Sequence, residues 1–173
     1  TAGGTATFTG AVSMLNDLTV NADGTTTFSE TVVLAGDLQT DTDGAAGTTV
    51  VTKDVTTSGQ QVFADGVTLA GDVTFTGVDT DADGEGVEFG STLAGGGNTL
   101  TIVGGGAFAG AVSGVTTFLA DSIDTESTLS AATVTVTGAA ELGGDVTTTG
   151  LQSWGGAVTI SGDTELDSSA GGG

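Results

Sequence analysis

The chain has 173 residues, enough for one domain, with 37% hydrophobic residues, 32 Gly, and no Pro, Cys, His or Tyr. Its 22 acidic residues face a single basic one, Lys53, for a net charge of −21. That balance excludes nucleic acid and anionic membrane surfaces as partners, and it leaves no cluster of cations to hold a phosphate or a substrate carboxylate. From the N-terminus onward the pattern is short and even: ATFTG, DLTVNADG, TTTF, TVVLAGD, TTVVTKD, VTTSG, QVFADG, VTLAGD, VTFTG, VEFG, LTIVGGG, VTVTG, VTISGD. The pieces alternate apolar residues with polar ones or Thr, and all but TTTF and TTVVTKD close on Gly, Asp-Gly or Gly-Asp. Alternation with a period of two, bounded by such residues, predicts a strand and then a turn. Only residues 119–129 carry even a marginal helical stripe. The chain is expected to be all-β, and no apolar run is long enough for a membrane-spanning helix.

A long internal repeat sets the architecture. Residues 54–75, DVTTSGQQVFADGVTLAGDVTF, return at 145–166 as DVTTTGLQSWGGAVTISGDTEL, at an ungapped offset of 91 residues, with Phe63 matched by Trp154. A second echo, GTATFTGAVS at 4–13 and GGGAFAGAVS at 104–113, has an offset of 100. An insertion of nine residues, DTDGAAGTT at 41–49, reconciles the two and is expected as a loop extruded at a corner. The chain then divides into two long repeats, 1–83 and 84–173, forming one continuous segment. The closing SSAGGG and the absence of an initiator Met at Thr1 suggest a processed chain or a piece of a longer one.

Two all-β architectures fit short strands: tandem β-sandwiches and a parallel β-helix (β-solenoid). Very short strands, Gly-rich turns and the lack of a sandwich's buried Trp or tyrosine corner favour the β-helix. At roughly 20 residues and three short strands per rung, the chain holds about eight rungs. Val, Leu, Ile, Ala and Phe are expected to stack in the interior, with Thr outside.

Two acidic stretches invite a metal reading. Asp79, Asp81 and Asp83 alternate before Gly84 in DTDADGEG, as in a calcium loop, and Glu85 or Glu88 is available to complete an irregular site. The twelfth position of that loop is Gly90 rather than a bidentate Glu, and no helices flank it. A solvated acidic turn is the plainer reading. Asp41 and Asp43 in DTDG form a weaker version, and Asn21 and Asp23 in NADG read as a turn. Enzymatic chemistry is not expected. No His or Cys is present to build a triad, and the carboxylates sit at Gly-flanked turns without an aromatic platform for a sugar. Lys53 beside Asp54 suggests a surface ion pair. An ice-binding Thr array would need one Thr face on many rungs, which irregular rung lengths disfavour.

The repeated phrase resembles the repeats of large secreted bacterial proteins of the filamentous haemagglutinin type. Residues 146–150, Gln152, Trp154, 156–160 and 163–166 match its elements in order, as do 55–59, Gln61, Phe63 and 66–69 in the earlier copy. Further matches lie at 90–106 and 108–118. The acidic insertions DTDGAAG and DTDADGEG are not part of that phrase. The resemblance implies a long β-solenoid displayed outside the cell, in adhesion or matrix building, with further copies of itself as partners and host or matrix glycans as ligands. The alternatives are a carbohydrate-binding or carbohydrate-cleaving β-helix and a calcium-dependent surface-layer protein.

Overall fold

A computed structural model describes residues 4–44, 47–81 and 84–168. The first rung is β1 (Ala6–Phe8), β2 (Val12–Met14) and β3 (Leu18–Val20), and the second is β4 (Thr25–Phe28), β5 (Val32–Leu34) and β6 (Leu38–Thr40). The third is β7 (Thr48–Val51), β8 (Val55–Thr57) and β9 (Gln61–Phe63), and the fourth β10 (Gly66–Leu69), β11 (Val73–Thr76) and β12 (Val87–Phe89). The fifth is β13 (Leu93–Ala94), β14 (Thr99–Val103) and β15 (Gly106–Phe108). In the next two rungs a single strand runs through the first corner: β16 (Val112–Ala120) with β17 (Ile123–Thr125), then β18 (Leu129–Val136) with β19 (Ala140–Leu142). The eighth is β20 (Val146–Thr148), β21 (Gln152–Trp154) and β22 (Val158–Ile160), and β23 (Leu166–Asp167) begins a ninth.

Every strand pairs in parallel with its counterparts in the adjacent rungs, so the molecule is a parallel β-solenoid of eight turns with three faces. The first two faces merge through β16 and β18 into one 15-stranded sheet, and the third is an 8-stranded sheet. No described residue is helical, so residues 119–129 belong to strands and their connections; no helix is long and apolar enough to cross a membrane. With strands about 4.8 Å apart, eight rungs give a rod roughly 40 Å long.

Inward positions stack in columns. The column that opens the first face runs Ala6, Thr26, Thr49, Val67, Leu93, Val112, Leu129, Val146 and Leu166. On the third face Phe63, Phe89 and Phe108 stack rung over rung, with ring centroids 5.4 and 4.9 Å apart and planes within 10°. Phe75 meets both Phe63 and Phe89 edge-on from the second face. Such stacking continues a hydrophobic core from rung to rung without any element crossing it.

Thr lies outside on most strands, as expected, but Thr26, Thr40, Thr49, Thr57, Thr125 and Thr148 are buried. Thr has nearly the shape of Val and the same strand preference, so it enters inward columns at the cost of its hydroxyl. Thr57 and Thr148 donate to the carbonyls of Gly59 and Gly150. The hydroxyls of Thr26, Thr40 and Thr49 have no partner.

The 91-residue repeat is real at the level of single hydrogen bonds, yet it is rotated by one face. Gln61 opens a strand of the third face, and its equivalent Gln152 opens one of the second. Both amides point inward. Gln61 Nε2 donates to Val55 O (3.2 Å) and Thr76 O (2.8 Å); Gln152 Nε2 donates to Val146 O (3.2 Å) and Asp167 O (2.9 Å). The conserved unit is an arc of strand, corner and strand tied by one Gln, and the three faces are similar enough to carry it in either phase.

The extrusion does not span all nine residues: Asp41 is buried at the corner and Thr48 and Thr49 already belong to β7, while residues 45–46 of the stretch lie outside the described residues. The rung from Thr26 to Thr49 takes 23 residues, against 20 from Ala6 to Thr26. The longer excursion is in the rung from Val67 to Leu93, which takes 26 residues and carries the connection between β11 and β12.

Candidate functional site

Most acidic residues at the corners have structural work. Asp17 Oδ1 accepts the N–H of Asp37 (3.0 Å), and Asp37 Oδ1 accepts that of Gln60 (2.9 Å). Asp54, Asp72 and Asp145 receive the N–H groups of Thr74, Thr99 and Glu165 in the same way, each at 2.8 Å. A corner cannot continue the ladder of backbone bonds, so its N–H needs another acceptor, and a carboxylate from the preceding rung supplies it. Gly36 and Gly59 make room for this, because a Cβ at either would overlap the carboxylate of Asp17 or Asp37. Three of these five staple acids, Asp37, Asp72 and Asp145, belong to the recurring Gly-Asp dipeptide.

The predicted calcium loop follows the same logic. Asp79 Oδ1 accepts the N–H of Asp81 (3.1 Å), and its Oδ2 accepts that of Gly84 (3.0 Å), where the chain turns with φ of 106°. Asp81 is exposed, Glu85 is half-buried in the same connection, and Asp83 lies outside the described residues. Glu88 is on β12, where its Oε1 accepts a hydrogen bond from Gln60 Nε2. Among the described residues no three acidic side chains come together closely enough to enclose a metal ion.

Asp41 and Asp43 sit differently. Asp41 is 1% exposed and adopts φ of 56°, a left-handed conformation rare outside Gly. Its Oδ1 accepts the N–H of Ala22 (2.8 Å), while Oδ2 is buried without a partner. Asp43 is exposed. The structure adds Asp65, which the sequence reading passed over, from the next rung of the same corner. Burial first, then the charge of Asp41, pushes the Asp65 carboxyl above its ordinary value; Asp43 adds to this, and a backbone hydrogen bond from Gly47 opposes it. The signal was present as Asp-Gly at 23–24, 43–44 and 65–66, three turns that stack at one corner.

A surface groove lies on the third face. Its volume is about 380 Å³, and Val62, Ala64, Gly90, Ala107 and Ala109 line it over the aromatic stack, beside Glu88, Asp124 and Glu126. Small residues create it: Ala107 sits between Glu88 and Asp124 in the outward row, so the floor dips between two acids. Their backbones are two strands, or roughly 9.5 Å, apart. The Asp124 carboxyl is raised by burial, then by Glu141 and Glu126. Trp154 is not part of this groove; it is half-buried against the core on β21.

No protein-family model, curated protein or solved structure matches the chain. What stands is a β-solenoid repeat protein.

Proposed function

We propose that the chain is a non-catalytic structural or adhesive scaffold, displayed outside the cell, that assembles end to end into a rod, filament or layer. The observation that carries this reading is the state of the end rungs. Ala140, Leu142 and Val146 are 2%, 0% and 0% exposed; their column successors Val158, Ile160 and Leu166 are 39%, 50% and 45% exposed. At the other end Met14 is 40% exposed, and its successor Leu34 is 2% exposed. Among the described residues both end rungs therefore offer apolar columns and strand edges, the features that a further rung, from a second copy or from continuation of the fold, would cover. The likeness of the repeated phrase to haemagglutinin-type repeats supports an extracellular setting. The high negative charge opposes contact between copies, so assembly should strengthen as salt screens it.

Sedimentation and electron microscopy of the full chain test the proposal. Rods in multiples of roughly 40 Å, growing with protein and salt concentration, are expected. Ile160→Lys should block them by placing a charge in the axial contact. A monomer at high concentration in high salt would remove the reading.

A carbohydrate-binding or carbohydrate-cleaving function is the second reading, and the groove beside Glu88 and Asp124 favours it. The separation of those backbones is compatible with carboxylates acting on opposite sides of a sugar. Calorimetric titration with soluble polysaccharides, repeated on Glu88→Gln and Asp124→Asn, decides it: no heat in the parent protein ends this alternative.

A further inference from the structure

The corner between the third and first faces, in the N-terminal half of the rod, collects carboxylates that the corner staples do not account for. Asp41 and Asp65 come from consecutive rungs. Each has an Oδ2 that is shielded from solvent and accepts no hydrogen bond. Asp41 is the more telling, because a side chain 1% exposed with an orphaned carboxylate oxygen is costly unless a counter-charge satisfies it. No cation of the chain meets that need: Lys53, the one basic residue, is exposed at the corner between the first and second faces.

The surrounding oxygens have the right character. Ala22 O, Asp65 Oδ2 and Gly24 O all crowd one side of Gly47, within 2.7, 2.8 and 2.9 Å of where a Cβ would stand, so only Gly fits there and three oxygens from neighbouring rungs gather beside it. The backbone at Asp41 is held at positive φ, and its Oδ1 is fixed by Ala22 N–H, so the carboxylate is oriented before any ligand arrives. Oxygen donors alone, part carboxylate and part carbonyl, suit a hard divalent ion of calcium's size better than zinc or copper.

We propose that Asp41 and Asp65 are the anionic ligands of a calcium site, completed by neighbouring backbone carbonyls and water. Asp43, exposed at the same corner, adds negative potential from outside. The site ties three successive rungs at a corner whose connection is longer than most, and it stabilises the fold where like charges otherwise repel. The inference stands apart from end-to-end assembly, because its two anionic ligands close the second and third rungs and neither lies on an end rung.

Thermal unfolding of the full chain, followed by circular dichroism in chelator and in millimolar calcium, tests it. With free calcium about 100-fold above its dissociation constant, the midpoint should rise by roughly 5–10 °C. Sodium chloride at matched ionic strength should not reproduce the rise. Asp65→Asn should abolish the calcium response and, in chelator, melt no lower than the parent, because the repulsion with Asp41 is gone. Asp41→Asn should lose the response as well. Asp79→Asn, in the other acidic connection, should keep it. Isothermal titration should lose one binding event in Asp65→Asn. An unchanged parent midpoint would overturn the proposal. A response that survives Asp65→Asn, or that disappears in Asp79→Asn instead, would overturn it too.

Discussion

Replacing Phe89 by Ala removes the middle ring of the three-ring stack on the third face. Phe89 is 1% exposed and touches three rings, Phe63 at 5.4 Å, Phe108 at 4.9 Å and Phe75 at 5.4 Å. Emptying a buried Phe site costs about 3–5 kcal/mol, and the aromatic contacts place this site toward the upper end. A solenoid has no second layer that can collapse into the gap, because each rung is held by its neighbours above and below. For a chain of this size each kcal/mol lowers the midpoint by about 2–4 °C, so the expected fall is roughly 10–20 °C. Phe8 is the control. It is half-buried on the first rung and stacks only on Phe28, at 5.0 Å. Phe8→Ala should cost about 1–2 kcal/mol. Denaturant titration of both variants, followed by circular dichroism, gives the comparison. Equal losses at the two positions would refute the idea that stability propagates through the central stack.

Thr49→Val should raise stability by about 1 kcal/mol, since it keeps the shape of a buried side chain and removes a hydroxyl without a partner; urea denaturation measures it. Gln61→Leu should lower stability by about 1–3 kcal/mol, because Val55 O and Thr76 O lose their donor. Gln152→Leu, near the open end, should cost less by the same assay. The raised carboxyls of Asp65 and Asp124 predict a pH dependence. The folded state binds their protons more tightly than the unfolded state does. Their ionisation therefore weakens the fold as pH rises through the elevated values, and the strain is relieved as pH falls toward the ordinary carboxylate range. The urea midpoint should fall as pH rises from the ordinary carboxylate range toward neutrality, and this fall should shrink in Asp65→Asn with Asp124→Asn.

The class of fold was legible because it depends on a local rule repeated many times. Alternation such as Val-Thr-Phe-Thr at 73–76 marks an inward and an outward side, and Gly-Asp marks the corner. At roughly 20 residues per rung, the chain length gives the eight rungs. The phase of the repeat was not legible. VTT-x-G-x-Q describes an arc of the rung, and nothing in it states which face the arc occupies; that depends on the accumulated lengths of all preceding corners. The same limit hid the groove. Glu88, Ala107 and Asp124 are neighbours only after the register of three strands is known. DTDGAAGTT looked like a removable loop because its composition is polar, yet Asp41 and Thr49 at its ends are buried. Polarity reports what a residue prefers, and in a narrow solenoid the rung above decides what it receives.

That distinction also orders the carboxylates. Where a corner Asp accepts an N–H from the next rung, its charge is answered locally and needs no ligand. Asp37 and Asp72 are of this kind, and a surface dense with such staples is acidic without being a binding surface. Asp41 breaks the rule. It lies at positive φ, directs one oxygen to Ala22 N–H in the preceding rung and keeps the other out of solvent with nothing to receive it. A fold that solves the same corner problem cheaply at Asp17, Asp37, Asp54, Asp72 and Asp145 has no need of a strained, buried carboxylate for that purpose. The departure from the repeated solution, rather than the total charge, is what singles out this corner as the place where something outside the chain completes the structure.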